Sequence, residues 1–302
     1  MEITNKIYTL DLEFLNEDAA IASFLIESND GLVLIESGPE TTFEHLTQAI
    51  ANLGFDWKDV RHVLLTHIHF DHAGAAWKFA ENQAKIYVHP IGLPHLHQPE
   101  KLWNSAKMIY KEDMERLWGE MKPIPTEYLV AADDGDVLQM GDLEFKVHYT
   151  PGHAIHHNAY QLDNVLFTGD VAGVKINQGP VVPPCPPPDI DLKKWMESID
   201  RMQQLPIDYL YLTHYGKVEH PTQHWEELKV ILNNWAEWMK PHFEANAPVK
   251  EITPRFMEYT RNQLSHLGVS PEDIQRYEYA NPSWMSVTGL LRYWKLKEQG
   301  RI

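Results

Sequence analysis

Three imidazoles and a carboxylate stand within six residues at His67-Ile68-His69-Phe70-Asp71-His72, directly after the apolar pair Leu64-Leu65. Zinc accepts nitrogen and oxygen ligands together, and neutral imidazole is the commonest metal-binding side chain. His67 and His69 are two residues apart, so in an extended chain they point the same way and suit one ion. Asp71 and His72 project differently from the next turn and suit a second. Three further candidates each follow an apolar run: His153 in Thr150-Pro151-Gly152-His153, Asp170 in Thr168-Gly169-Asp170, and His214 after Tyr209-Leu210-Tyr211-Leu212-Thr213. With His67, that makes four predicted strands each ending in a ligand. If these strands are neighbours, their carboxyl ends form one rim, where α/β folds place active sites.

Five imidazoles and two carboxylates suit two ions that share a bridging carboxylate and a solvent ligand. Two ions about 3.5–4 Å apart lower the pKa of a shared water, so that hydroxide exists at neutral pH. One ion also polarises a carbonyl or phosphoryl oxygen. No side-chain nucleophile is required, and the expected reaction is hydrolysis of an ester, lactone, thioester, amide or phosphoester. Asp71 and Asp170 are the candidate catalytic carboxylates, with Asp71 orienting the hydroxide or passing its proton to the leaving group. Two zinc ions per chain are expected; manganese or iron accept the same ligand types.

Alternating strands and helices would position these side chains. Ala22 to Ile26 and Leu32 to Ile35 are apolar runs joined through Asn29-Asp30-Gly31, whose Asp-Gly pair favours a hairpin turn. Phe43, Leu46, Ala49, Ile50 and Leu53 share one face of a helix predicted from Thr42 to Leu53. A strand from Val60 to Leu65 runs into the His-rich turn, followed by a helix through Ala75 to Glu81 and a strand over Lys85 to Val88. The β pattern returns at Asp136 to Gln139, Leu143 to Tyr149, Asn158 to Leu162 and Val165 to Thr168. A helix near Leu192 to Leu205 then leads to the strand Tyr209 to Thr213. This alternation predicts an α/β layered architecture.

Two segments break the rhythm. Residues 91–130 read as an inserted, partly helical lid whose Trp103, Tyr110 and Trp118 are divided between core packing and lining an apolar substrate pocket. Pro180 to Asp189 holds six prolines around Cys185, which forbids regular structure and predicts a stiff loop. From Pro221 the β signals vanish. The expected organisation is a metal-binding domain over 1–220, with the lid at 91–130, and a helical region over 221–302 packed on it. Trp235, Trp238, Trp284 and Trp294 would pack that layer, with a homodimer contact as the competing use.

With 302 residues, 43% hydrophobic and 23% charged, the chain has an ordinary globular balance and enough length for a substantial core. A net charge of −17 argues against nucleic acid as the main partner. A small anionic substrate stays open, because two divalent ions bring their own positive field. Cys185 is the only cysteine, so no internal disulfide forms; without an identifiable base it reads as a packing residue or an exposed thiol. Met1 to Lys6 lack a basic segment leading into an apolar one, and no run approaches the roughly 18 apolar residues that span a bilayer. The expectation is a cytoplasmic protein with a small-molecule substrate and no membrane partner.

The His-rich turn resembles the His-x-His-x-Asp-His signature of the metallo-β-lactamase superfamily, here His67-Ile68-His69-Phe70-Asp71-His72. The family's other landmarks stand in order at Pro151-Gly152-His153, Thr168-Gly169-Asp170 and Thr213-His214, so the resemblance spans roughly residues 20 to 220. It implies that His67, His69 and His153 bind one metal, Asp71, His72 and His214 a second, and that Asp170 bridges them. It also implies two β-sheets packed face to face with helices outside, an αβ/βα sandwich. One departure is Ile35-Glu36-Ser37-Gly38, where many relatives carry an Asp-Thr-Gly; the longer Glu36 carboxylate is expected to support the site in the same way. His156 and His157 are assigned supporting roles. Tyr215 is a candidate hydrogen-bond donor beside His214.

The resulting functional expectation is a dinuclear hydrolase of a small ester, lactone or thioester, similar in outline to glyoxalase II and to lactonases of the superfamily. The tail shows no basic cluster for glutathione: Arg255, Arg261, Arg276, Arg292 and Lys295 are scattered. Phosphodiester or phosphotriester hydrolysis and β-lactamase-like activity are the alternatives on the same metal pair. A metal-binding regulatory protein without catalysis is the alternative of another class; it would be marked by a missing ligand, and none is missing.

Overall fold

A computed structural model describes residues 7–302; Met1 to Lys6, where the sequence predicts no export signal, lie outside the described residues. Twelve strands form two six-stranded sheets among these residues. The first sheet contains β1 (Ile7–Asp11), β2 (Ala22–Ser28), β3 (Gly31–Ile35), β4 (Val60–Leu64), β5 (Lys85–Val88) and β6 (Leu129–Ala131), in that spatial order. The second contains β7 (Val137–Met140), β8 (Leu143–Tyr149), β9 (Asn158–Leu162), β10 (Val165–Phe167), β11 (Tyr209–Leu212) and β12 (Gly216–Val218), likewise adjacent in sequence order.

Pairing direction decides where the loops gather. β3, β4, β5 and β6 run parallel, with Ile35 opposite Leu64. The two strands therefore end together, and Glu36 emerges beside Thr66 and His67. In the second sheet β10 and β11 are parallel with Phe167 opposite Tyr211, so Asp170 and His214 leave the sheet side by side. β8 is separated from β10 by β9, antiparallel to both, so its carboxyl end lies at the same edge. The rim foreseen from sequence is thus built differently: β4 belongs to one sheet and β8, β10 and β11 to the other.

Three apolar clusters fill the three interfaces of a four-layer αβ/βα sandwich. Between the sheets lie Phe24, Phe145, Tyr160, Phe167 and Tyr211, with Phe24 5.5 Å from Phe167 and 5.3 Å from Tyr211 between ring centroids. β2 reads as a nearly unbroken apolar run because it is buried on both faces. Outside the first sheet, Leu46 and Ile50 of α1 (Phe43–Asn52) and Trp77, Phe79 and Ala80 of α3 (Ala76–Glu81) close a second cluster. A short helix, α2 (Phe70–Ala73), precedes α3.

The third cluster lies outside the second sheet and joins α7 (Leu192–Met202) to the carboxy-terminal helices. In α8 (Pro221–Glu244), Trp225, Leu228, Leu232, Trp235 and Met239 recur at spacings of three and four and are all buried, the pattern of one helical face against a core. α9 (Val249–His266), α10 (Pro271–Ala280) and α11 (Ser283–Glu298) complete this layer, α10 starting with Ser270 Oγ accepting from the Asp273 N–H. Between β5 and β6 come α4 (Leu93–His97), α5 (Glu100–Tyr110) and α6 (Met114–Trp118), so Leu129 and Val130, taken from sequence as the end of the insertion, belong to β6. Two strands that the sequence did not announce, β1 and β12, pair with β2 and β11. Among the described residues no helix is long and apolar enough to cross a membrane.

Candidate metal centre

The edge where the two sheets' loops meet holds all seven candidate ligands. β4 ends at Leu64, and the chain bends at Thr66 before reaching His69, whose backbone at φ −63°, ψ 152° opens α2. That single helical turn sets Asp71 and His72 beside His214 and also brings the His72 ring to 4.0 Å from that of His67 between centroids, so the two groups expected from the spacing adjoin. The turn is fixed from outside: the His72 carbonyl accepts from the Ser37 N–H at 2.8 Å and the Ser37 hydroxyl at 2.9 Å. Glycine precedes two of the later ligands for a physical reason. Gly152, at φ +142°, lies against the backbone of Trp195, and Gly169, at φ +50°, lies against the Thr66 side chain and His157, so any Cβ would collide.

The imidazoles are aimed by their outer nitrogens. Nδ1–H of His153 donates to the Pro184 carbonyl at 2.9 Å, that of His214 to the Ala20 carbonyl at 2.7 Å, and that of His72 to Glu36 Oε1 at 3.0 Å. The Thr66 hydroxyl donates to Glu36 Oε1 at 2.5 Å, which leaves its oxygen to accept from His67 Nδ1–H at 3.0 Å. Four Nε2 lone pairs are therefore turned to the centre, the anchoring usual for metal-binding histidines. Glu36, fully buried, does what the sequence expected of it. His157 accepts the Asp170 N–H at 3.2 Å and donates to Thr150 Oγ1 at 2.7 Å, so it holds the Asp170 backbone. His156 lies over His67, ring centroids 6.2 Å apart. The Tyr215 hydroxyl donates to Asp11 Oδ2 at 2.8 Å.

Around the centre, His67 Nε2 lies 2.9 Å and His153 Nε2 3.1 Å from His69 Nδ1. Asp170 faces both sides: Oδ2 is 3.3 Å from His153 Nε2, while Oδ1 is 3.3 Å from His72 Nε2 and 3.5 Å from His214 Nε2. Asp71 Oδ2 is 3.4 Å from His214 Nε2 and 3.6 Å from His72 Nε2. Four-coordinate zinc with bonds of about 2.0–2.1 Å separates neighbouring ligand atoms by roughly 3.3–3.4 Å. Three clusters, His67/His69/His153, His67/His72/Asp170 and Asp71/His72/His214, each bring their ligand atoms within 4.8 Å of one another.

The donor set fits divalent cations on a second ground. His72 Nε2, His214 Nε2 and Asp170 Oδ1 are buried without a hydrogen-bond partner, although buried polar atoms nearly always have one. Electrostatics agrees. Burial pushes His67 and His69 down, and their neighbouring imidazoles push the same way, His69 to about 3. For His72 burial acts downward too, but Asp71, Asp170 and Glu36 outweigh it and draw the ring well above the ordinary value. Burial raises Asp71, and His72 and His214 overcome that to hold it at about 2. His67, His69 and His153 resist protons, while the carboxylates draw positive charge onto His72 and His214, a demand that bound cations would meet.

A cavity of about 580 Å³ opens over this floor, with His69, Asp71, Asp170 and His214 at its base. Tyr110 and Trp118 line it, as does the proline-rich loop, whereas Trp103 packs edge-on against Phe70 at 5.7 Å. That loop is fastened to the last two helices: Asn281 donates to the Pro183 carbonyl at 3.1 Å and Arg292 to that of Pro188 at 2.9 Å. Cys185 within it is buried, and its backbone N–H donates to Ser286 Oγ at 3.3 Å, so it is a packing residue. Sequence reasoning missed the carbonyls of Ala20 and Pro184 and the cavity walls from α10 and α11; backbone acceptors leave no residue-type signal.

The sequence profile of the metallo-β-lactamase superfamily matches residues 17–214. A metallo-β-lactamase-fold protein from the archaeon Sulfurisphaera tokodaii is 31% identical over 205 residues, 67% of this chain and 74% of that one. Its crystal structure superposes with a TM-score of 0.61 over 75% of this chain and 86% of that chain, at 28% identity. A metallo-β-lactamase family protein from Thermus thermophilus shares the fold along nearly the whole length, covering 97% of this chain and 94% of its own with a TM-score of 0.68 at 21% identity. A hydroxyacylglutathione hydrolase from Maricaulis maris is 30% identical over 108 residues, 35% of this chain and 31% of that enzyme. A metal-binding hydrolase is the class that fold and donor set define. The chain belongs to the metallo-β-lactamase superfamily.

Proposed function

We propose that this chain is a dinuclear metal-dependent hydrolase of a small carboxylic ester, lactone or thioester. The observation that carries the reading is the inward convergence of five imidazoles and two carboxylates with buried, unpartnered His72 Nε2, His214 Nε2 and Asp170 Oδ1. His67, His69 and His153 would hold one ion and Asp71, His72 and His214 the other, with Asp170, one oxygen turned to each group, between them. When bound, such a pair supplies Lewis acidity and a water acidic enough to attack at neutral pH; zinc is the default, with manganese or iron accepting the same ligands.

The chain's own groups do the rest. Asp71 has a side chain 21% exposed against 4% for Asp170, so it is the carboxylate presented to the cavity. Its Oδ2 faces His72 and His214 and would meet the ion, which leaves Oδ1 to orient the attacking water and pass its proton to the leaving group. Similarity over part of the chain to a hydroxyacylglutathione hydrolase supports carbonyl chemistry over phosphoryl chemistry.

The test is protein stripped with chelator, reloaded with zinc, manganese or iron, and assayed for bound metal and for turnover of ester, lactone, thioester and phosphodiester panels. Close to two equivalents with carbonyl-ester turnover is expected, and Asp170→Ala should reduce both the second equivalent and the rate by at least a hundredfold. Saturation below one equivalent sinks the dinuclear assignment, and unchanged turnover by Asp170→Ala removes that residue from the mechanism.

A further inference from the structure

We infer that the substrate carries a bulky, uncharged apolar arm, an extended acyl chain or fused aromatic group, which lies in the cavity between α5–α6 and α10–α11. This deepens the hydrolase assignment and rests on it. Three of the chain's exposed large apolar side chains, Ile91 (46%), Ile109 (36%) and Ile155 (48%), come from three separate segments and all line this one cavity. Exposed isoleucines gathered on one concave surface beside a reactive floor mark a binding face rather than incidental exposure. Leu102, Ala106, Leu117, Trp118, Trp284 and Met285 continue the apolar wall. At about 580 Å³ the space is that of a drug-sized ligand, far more than an acetyl or lactyl group fills.

Away from the floor, the charge of the walls favours a neutral arm over an anionic one. The lining carboxylates are Asp71, Asp113, Asp170, Asp189 and Glu278, against the cations Lys101 and Arg116. Arg116 is bound to Asp113 at 2.9 Å, which leaves Lys101 as the lining Lys or Arg outside an ion pair among the described residues. A peptide-like arm with two carboxylates, or a polyphosphate, would meet more lining carboxylates than unpaired cations on these walls. A neutral arm needs no cation. The reaction adds the water oxygen to the acyl carbon and breaks its bond to the ester oxygen or thioester sulfur, giving a carboxylic acid and an alcohol or thiol that takes the other proton of the water; no redox partner enters.

The experiment is a p-nitrophenyl ester series from acetate to decanoate, below micellar concentrations, on metal-loaded protein. Each buried methylene should raise kcat/KM about three- to fourfold until the cavity is full. Ile109→Glu, at a solvent-reachable position, should lower the decanoate-to-acetate ratio of kcat/KM at least tenfold, and Met108→Glu, which lies outside the cavity, should leave that ratio unchanged. A flat or falling series in protein that does hydrolyse acetate, or an Ile109→Glu loss equal for both esters, overturns the inference while the hydrolase assignment stands. If no ester is turned over, that assignment fails separately, and the cavity is read by binding of the neutral fluorophore N-phenyl-1-naphthylamine. Saturable binding displaced by 1-decanol and weakened tenfold by Ile109→Glu supports the apolar-arm site, and no binding overturns it.

Discussion

Replacing Glu36 by glutamine changes one buried atom and should loosen the metal centre from behind. Glu36 Oε1 accepts His72 Nδ1–H at 3.0 Å, the Thr66 hydroxyl at 2.5 Å and the Thr213 hydroxyl at 3.4 Å, while Oε2 accepts the Thr66 N–H at 3.2 Å. A carboxamide has one acceptor oxygen and one donor group. If its oxygen takes the place of Oε1, the NH2 faces the Thr66 N–H; if it flips, the NH2 faces His72 and two hydroxyls. In either pose at least one buried donor is orphaned, costing about 1–3 kcal/mol, and a charge-assisted bond to His72 is weakened by a similar amount. Partners behind metal-binding histidines typically control affinity by about 10–100-fold. The expected outcome for Glu36→Gln is therefore a metal dissociation constant raised by that factor, measured by competition with a chromophoric chelator, with a lower thermal midpoint in the metal-free protein. Glu36→Asp, which keeps the charge but is one methylene short, should fall between. A Glu36→Gln dissociation constant within twofold of the parent would refute the claim that this carboxylate aims His72.

Two further outcomes follow from burial. His224 donates Nε2–H to the Ala172 carbonyl at 2.7 Å, its Nδ1 is buried without a partner, and burial holds the ring down at about 4. Because the folded value lies below the ordinary 6.5, the unfolded chain takes up a proton first as pH falls. Stability is thus whole above pH 6.5 and drains between 6.5 and about 4, by up to about 3 kcal/mol. His224→Gln should flatten that part of a urea-midpoint-versus-pH curve relative to the parent, and parallel curves would exclude the effect. Gly169→Ala places a methyl against the Thr66 side chain at φ +50°. It should cost about 1–2 kcal/mol for the left-handed backbone alone and lower metal content as Thr66 is displaced, read by thermal melts and metal analysis.

How far the sequence reached can be traced through these residues. Candidate ligands are of residue types that chemistry restricts, so His67, His69, Asp71, His72, His153, Asp170 and His214 could be singled out as a group, and the strands before them were apolar enough to be located. The seven candidates do converge. What sequence did not reveal was partnership across the two sheets. Nothing in Val60 to Leu64 says that β4 pairs within the opposite sheet from β8, β10 and β11. β1 and β12 are short edge strands with mixed burial, and their period-two signal is too brief to stand out. The cavity walls escaped for another reason: Ile91, Ile109 and Ile155 resemble any scattered isoleucine until folding gathers them.

The centre lies where the two halves of the sandwich meet, and so few backbone bonds join them there that each carries weight: the Ala22 N–H donates to the Thr213 carbonyl at 2.8 Å and the Asn158 N–H to the Thr66 carbonyl at 2.7 Å. One half supplies His67, His69, Asp71 and His72; the other supplies His153, Asp170 and His214. Any cation shared across that seam is also a removable cross-link between halves, and binding that occurs only when they are docked stabilises the docked state, by about 4 kcal/mol at a thousand times the dissociation constant. For a hydrolase of the proposed kind, metal supply would then control how long the folded chain survives as well as how fast it turns over.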